Sequence, residues 1–307
     1  MRKKLAAFFA VALLTEMAVA QGRLPFQKRK ITLKSPATYE KPILRYDPKT
    51  GEPVYYDPKP RVVLLNLKSG EYALRWIGYD GRGKTIVYQR PDAIDAVVSA
   101  SVSRRPLGYY LYTYNIKNLP SSGEYLSAFA IQTFASDVKP MRIHNSYVGP
   151  MSNNKEMKDG NWFYFGMSNL GIGIVAGRNV ELKLESSAPP GLVECRITGG
   201  RLGMKGVGEE PPQELADVLP GYEAWPKGYT IGPIDKMKFL SATERVKYLA
   251  ERLPRFRKLG WMTTTALGWY ERTLRSNNLD EVFKRADRDL KAGNITSEVF
   301  DLIQAMK

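Results

Sequence analysis

Cysteine and histidine are nearly absent: the 307 residues include one of each, Cys195 and His144. An intrachain disulfide is therefore impossible, as is a Cys/His zinc cluster built by a single chain. Any Ser-His-Asp or Cys-His catalytic arrangement would have to use His144, and neither a G-x-S-x-G string nor a carboxylate-rich helix accompanies it. His144 reads as a hydrogen-bonded loop or strand residue. Calcium loops of the D-x-[DN]-x-[DN]-G type are missing too. The string Gly171-Ile172-Gly173-Ile174-Val175-Ala176 has dinucleotide-fingerprint lettering. An alternating, strand-like segment follows it, where a helix N-terminus would be needed to hold a pyrophosphate. The glycines read as a bend between strands. No cofactor and no metal site are expected.

Long apolar runs are also lacking. Leu5 to Leu14 is half the length of the ~20 residues a membrane helix requires, and no later segment exceeds it. Arg2, Lys3 and Lys4 precede this run, and Ala18-Val19-Ala20 follows it. A positive start, a short apolar stretch and small residues at −3 and −1 make a secretory signal peptide, with cleavage after Ala20. The mature chain, without a transmembrane segment and without disulfides, is expected to be secreted or periplasmic in a bacterium. At about 285 residues it buries enough surface to need no covalent staples.

What is present divides the mature chain into four parts. Residues 21–92 are rich in Tyr, Pro and Lys, with turn clusters at Asp47-Pro48-Lys49-Thr50-Gly51, Lys68-Ser69-Gly70 and Asp80-Gly81-Arg82-Gly83. Strands are expected between them, at 61–67, 71–78 and 84–89. Residues 93–200 alternate with period two. Val180, Leu182 and Leu184 share one face while Glu181, Lys183 and Glu185 share the other. The pattern resumes after 187–191, with Val193, Cys195 and Ile197 inward and Glu194, Arg196 and Thr198 outward. These two runs are expected to form a hairpin with one buried face, and Cys195 to be a small core residue. Further strands at 96–102, 109–116, 125–134 and 162–165 argue for an antiparallel β-sandwich. Residues 201–240 show no sustained period and read as a linker.

From Ser241 the period turns helical. Ser241-Ala242-Thr243-Glu244 is a capping-box signature, Pro254 is expected to kink or break the helix it begins, and Leu259-Gly260-Trp261 recurs as Leu267-Gly268-Trp269. Asn278 and Thr296 stand at the starts of two more amphipathic segments, with Gly293 as a stop between them. The sequon Asn294-Ile295-Thr296 is thus read as a helix start. Residues 241–307 are expected to form a small helical bundle or hairpin.

Several strings carry a resemblance. They are Tyr112-Thr113-Tyr114-Asn115-Ile116-Lys117-Asn118-Leu119-Pro120-Ser121, Ala176-Gly177-Arg178-Asn179-Val180 and Pro190-Gly191-Leu192-Val193. With Gly232-Pro233, Leu259-Gly260-Trp261 and Ile295-Thr296-Ser297-Glu298, they resemble Ig-like sandwich domains of secreted, uncharacterised bacterial proteins that continue into a C-terminal helical region. The resemblance spans about residues 110–307. It implies an exported protein with an Ig-like sandwich and carries no catalytic residues.

The formal charge of +15 is unevenly placed. Residues 21–92 hold 15 basic and 7 acidic side chains, 93–232 hold 13 of each, and 233–307 hold 15 and 10. A neutral sandwich is flanked by positive ends, with clusters at Lys28, Arg29, Lys30 and Lys34 and at Arg252, Arg255, Arg257 and Lys258. Such clusters solvate a helix face or attract an anionic polymer. With the exposed members of Trp261, Trp269 and Tyr270 as aromatic contacts, they lead to a non-enzymatic exported binding or structural protein. Its partner would be an anionic polysaccharide, lipopolysaccharide, extracellular nucleic acid or another envelope protein, and no intracellular nucleic acid is expected. The alternative is a carbohydrate-active hydrolase using two of Asp92, Asp95, Glu124, Asp137 and Asp159 as its carboxylate pair.

Overall fold

The computed structural model describes Phe26 and residues 43–47, 49–57, 59–66, 71–88, 93–141, 147–150, 161–166, 173–199, 209, 211–216 and 225–307. The expected signal peptide, the Lys28–Lys34 cluster, His144, Asp92 and Asp159 lie outside these residues.

The turn-rich N-terminal region folds as its punctuation predicts. β1 (Ile43–Tyr46) and β2 (Pro53–Asp57) form a hairpin. β3 (Arg61–Asn66), β4 (Glu71–Ile77) and β5 (Gly83–Tyr88) form an antiparallel meander. Val62, Tyr72, Leu74, Trp76 and Ile86 bury one face of that meander. Leu215, from the single helical turn Gln213–Ala216, joins the same cluster. Nearby, Glu209 accepts hydrogen bonds from the Trp76 indole and the Tyr79 amide, both at 2.9 Å. Part of the segment read as a linker thus packs on the N-terminal sheet.

Nine further strands follow among the described residues. They are β6 (Ala96–Arg104), β7 (Tyr110–Asn118), β8 (Leu126–Thr133), β9 (Lys139–Pro140), β10 (Tyr147–Pro150), β11 (Asn161–Gly166), β12 (Asn179–Ser186), β13 (Pro190–Gly199) and β14 (Lys227–Pro233). One sheet has the order β6-β7-β12-β9 and the other β10-β11-β8-β13-β14. Setting aside the β10–β11 hairpin, these are the A-B-E-D and C-F-G orders of an immunoglobulin-type sandwich. That hairpin, inserted between the D and E positions, extends the C edge. The fold is an antiparallel Ig-like sandwich with C-terminal helices.

Two sequence expectations are corrected here. The runs around Leu182 and Cys195 do not form a hairpin: β12 pairs with β7 and β9, whereas β13 pairs with β8 and β14. The chain crosses from one sheet to the other through Ser187-Ala188-Pro189. Alternation marks a strand with one buried face, and it reads the same whether the next strand is a sheet neighbour or lies across the core. Secondly, Lys227–Pro233 belongs to the second sheet, although its short, glycine-broken sequence reads as linker.

The inward set is as read. Tyr112, Tyr114, Ile116, Leu182 and Leu184 meet Phe129, Ile131, Phe165, Val193, Cys195 and Ile197, all fully or almost fully buried. The two core tyrosines donate their hydroxyls to backbone carbonyls, Tyr112 to Ala188 and Tyr114 to Ile231, so neither polar end is orphaned. The outward set is only partly exposed. Trp162, Trp225, Ala128 and Ala130 form a small cluster over β8 and β13, and the Arg196 guanidinium lies 4.7 Å from the Trp162 ring. Arg196 and Thr198, read as solvent-facing, are buried.

Four helices complete the chain: α1 (Ala242–Lys258), α2 (Thr264–Arg275), α3 (Leu279–Lys291) and α4 (Ser297–Gln304). Ser241 makes the expected capping box with Glu244. Pro254 does not break α1, which continues to Lys258. Its ring removes the bond to the Ala250 carbonyl, and both residues lie on the exposed side, where the freed carbonyl is open to solvent. Phe256, Trp261, Tyr270, Val299, Leu302 and Ile303 merge with the sandwich interior into one continuous core. α4 packs along edge strand β6.

An internal repeat orders the bundle. Leu259-Gly260-Trp261-Met262-Thr263, between α1 and α2, corresponds to Ala292-Gly293-Asn294-Ile295-Thr296, between α3 and α4. Gly260 and Gly293 take φ of +74° and +71°, Met262 bridges Ile295, and the bonds Thr263 N–H to Asn294 O and Thr296 N–H to Trp261 O are reciprocal at 2.9 Å. The true partner of Leu259-Gly260-Trp261 is thus 292–296. Gly268 of the apparent repeat lies inside α2.

Candidate binding groove

α1 carries two stripes. Leu249, Leu253 and Phe256 bury one of them in the core. Glu244, Lys247, Tyr248, Glu251, Arg252 and Arg255 recur at steps of three, one, three, one and three, so they share a second face. This face and β13–β14 wall a groove of about 920 Å³. The strands contribute Leu192, Glu194 and Tyr229, and the turn after β14 contributes Lys236 and Met237.

Tyr248 ties helix to sheet: its hydroxyl accepts the Leu192 amide at 3.0 Å. Burial raises the phenol's pKa, while Arg252 and the Leu192 N–H act against that shift. The close approach requires Gly191, where a Cβ would sit 2.7 Å from the Tyr248 hydroxyl and 2.3 Å from Ile234 Cδ1. The Arg252 guanidinium lies 3.4 Å over the Tyr248 ring and donates to the Tyr248 carbonyl at 3.0 Å. One turn further on, the Arg255 guanidinium lies 3.9 Å over the Tyr229 ring. Two planar cations are thereby stacked on two aromatic faces along one wall, with their forked N–H donors fixed in orientation.

Of the groove's carboxylates, Glu194 accepts Arg196 at 2.8 Å and Lys227 at 3.2 Å. Glu244 accepts the Ser241 hydroxyl and amide, which lower its pKa. Glu251 lies 3.6 Å from Arg252. With Lys236, Lys247, Arg252 and Arg255 in the lining and Arg196 and Lys227 beside it, cations outnumber carboxylates.

The structure thus brings two of the sequence-selected residues, Arg252 and Arg255, into one site and separates the others that it describes. Arg257 and Lys258 are exposed but off the groove, Arg257 donating to the Thr264 hydroxyl at 2.8 Å. Trp261 is no surface contact: it is buried and stacked on Phe256 at 5.9 Å. Trp269 is half-buried beneath Arg285, whose guanidinium lies 4.6 Å from the ring, and Tyr270 is fully buried. Trp261, in the turn before α2, serves here as a core anchor, as its size favours. Sequence reasoning misses Tyr229 and Tyr248. The i,i+4 spacing of Tyr248 and Arg252 is a readable signal for one of them. Tyr229 sits in a segment that reads as linker.

Of the described carboxylates weighed for hydrolysis, Asp137 accepts the Ser186 hydroxyl and the Ser187 amide. Burial alone would raise its pKa, but these bonds together outweigh it and lower the value. Glu124 is buried against Gly199, and the amide of Asp95 is bonded to Ser122. Among the described residues, no three His, Cys, Asp or Glu side chains converge as metal ligands, and no helix is long and apolar enough to cross a membrane.

No family model matches the chain, and no curated protein does. Among solved structures, the chain is similar to an uncharacterised protein from Nocardia farcinica with an immunoglobulin-like fold. The identity is 11% and the TM-score 0.26, over 43% of this chain and 95% of that one.

Proposed function

We propose that this is an exported, non-enzymatic binding protein of the bacterial envelope or exterior, and that the groove beside α1 takes an anionic polysaccharide. The observation that carries the reading is the pair of arginines stacked on Tyr248 and Tyr229 at 3.4 and 3.9 Å. A guanidinium pinned over a ring keeps its donor edge presented to carboxylate or sulfate groups, with little ordering cost left at binding. The adjacent Tyr and Leu surfaces suit the apolar faces of sugar rings. Phe26 packs its ring on Gly228, next to Tyr229, and the N-terminal basic cluster begins two residues later in the sequence at Lys28. Export is supported by Arg2-Lys3-Lys4, the apolar run to Leu14 and Ala18-Val19-Ala20.

Titration with a polyuronate at increasing salt tests the reading. Affinity falling steeply between about 0.05 and 0.5 M salt supports it, because the contacts are charged and partly solvent-facing. Affinity indifferent to salt over that range rejects the electrostatic site. N-terminal sequencing of exported protein should begin at Gln21.

A further inference from the structure

Among the described residues, the two most exposed large apolar side chains stand at the same end of the sandwich. Leu107, at the tip of the β6–β7 hairpin, is 93% exposed, and Phe239, ending the 3-10 turn Asp235–Phe239, is 81% exposed. Tyr110 opposite Ser186 in the β7–β12 register places the hairpin tip at the end where β12 terminates. Lys238, the neighbour of Phe239, donates to the Ser187 hydroxyl at 2.8 Å at that same end. We infer that this end docks on an anionic lipid bilayer, Leu107 and Phe239 entering the interface and Arg104, Arg105 and Lys236 meeting headgroup phosphates.

The hairpin tip makes a case against an incidental leucine. Leu107 and Gly108 take φ of +63° and +79°, consecutive positive values of the kind a type I′ turn demands. Asn or Gly fits the first such position cheaply, and leucine does not. Nothing among the described residues covers the side chain. A conformationally costly, fully projecting apolar residue at a hairpin tip is a poor device for stability and a good one for insertion. The charges agree. From Ala96 to Asn118 the hairpin has no acidic residue, and Arg104 and Arg105 flank its tip, both exposed. Lys236 and Lys238 are likewise accessible beside Phe239, whereas Asp137 and Asp235 at this end are engaged by Ser186, Ser187 and Lys238.

A bilayer suits this arrangement better than a protein partner. A specific protein interface buries roughly 800 Å² per side around a contiguous apolar centre. Here two separate side chains project, each beside basic residues, as in shallow interfacial anchors.

Co-sedimentation of the mature protein, from Gln21, with phosphatidylglycerol and phosphatidylcholine vesicles at about 0.1 M salt, where charge is only partly screened, tests the inference. Binding to the anionic vesicles at least tenfold tighter than to the neutral ones is expected. L107N/F239S should lower it at least tenfold with an unchanged circular dichroism spectrum, since asparagine accepts the turn conformation. L107G serves if the first variant misfolds. R104Q/R105Q should weaken binding and flatten its salt dependence. R252Q/R255Q, in the groove, should leave vesicle binding intact, so failure here is distinct from failure of the polysaccharide reading. Wild-type protein that ignores anionic vesicles overturns the inference. So does unchanged binding by L107N/F239S, or loss confined to R252Q/R255Q.

Discussion

The Asp301 carboxylate on α4 accepts the backbone amide of Val102 on edge strand β6 at 2.7 Å. One helical turn earlier, Glu298 accepts the Ala100 amide at 2.8 Å, and the Ser297 hydroxyl donates to the Ala100 carbonyl at 3.2 Å. Outward amides on an edge strand recur every second residue, about 6.6 Å apart. Side chains at i and i+3 of a helix lie one above the other on a single face. A helix with acids at i and i+3 therefore closes a strand edge that would otherwise template pairing with another chain.

This arrangement makes stability depend on pH. Burial raises Asp301 to about 6, with the nearby Glu298 charge adding to the rise and the Val102 amide opposing it. The folded chain thus keeps the Asp301 proton to higher pH than the unfolded chain does. The stabilisation is fully present below about pH 4 and is lost as pH rises through about 6. The difference amounts to roughly 3 kcal/mol at most, because each tenfold gain in proton affinity on folding is worth about 1.4 kcal/mol. D301N, which keeps an acceptor for Val102, should match wild type at about pH 4 and exceed it by about 1–3 kcal/mol at about pH 7. Urea denaturation at the two pH values reads this out. No gain at neutral pH would show that the buried charge carries no penalty.

Glu298 should behave differently on deletion. E298A leaves the buried Ala100 amide without its acceptor, at a cost of about 1–3 kcal/mol. It also uncovers part of the β6 edge. Lower midpoints in urea, with concentration-dependent aggregation by light scattering, are expected. A monomeric variant of wild-type stability would contradict the edge-closing role.

Much of this was legible in the sequence, and the limits have physical causes. Leu182, Leu184, Cys195 and Ile197 announced a sandwich because period two with one buried face has few other origins. The same pattern is silent about which sheet each strand joins, so β12 and β13 read as a hairpin. Ser241 and Glu244 marked the start of α1 because capping is local chemistry. The groove depends on Arg255 meeting Tyr229 across a segment without periodicity, and only the folded chain brings them together. Trp261 misled because a tryptophan just after a basic run looks like a contact residue until its neighbours are seen.

The stacked arginines give the groove a second test. R252Q and R255Q each remove one cation and one guanidinium–tyrosine stack at a partly solvated wall, so stability should change by less than about 1 kcal/mol. Polyuronate affinity should fall several-fold for either change, and more than tenfold for both. Calorimetric titration compares them with R257Q, which lies off the groove and should bind as wild type. Equal losses in all three variants would mean that charge acts without a site.

Cys195 occupies a β13 position, the F strand of the sandwich, and packs in the core it shares with Tyr114 of β7. Antibody domains bridge their B and F strands with a disulfide, whereas here a thiol and a buried tyrosine fill the space. The Cys195 side chain is wholly buried, and burial pushes its thiol pKa well up. The nucleophilic thiolate is thus suppressed and the sulfur shielded. An aromatic disulfide reagent should label the native protein only at the rate of global unfolding, and label it at once in denaturant. C195A removes only the sulfur atom from a packed interior. It should cost about 1 kcal/mol or somewhat more, depending on how far the core relaxes. C195S should cost more, because its hydroxyl brings a polar group into an apolar site. Rapid labelling of the folded chain would show that the two sheets part at this point far more readily than the packing around Cys195 and Tyr114 allows.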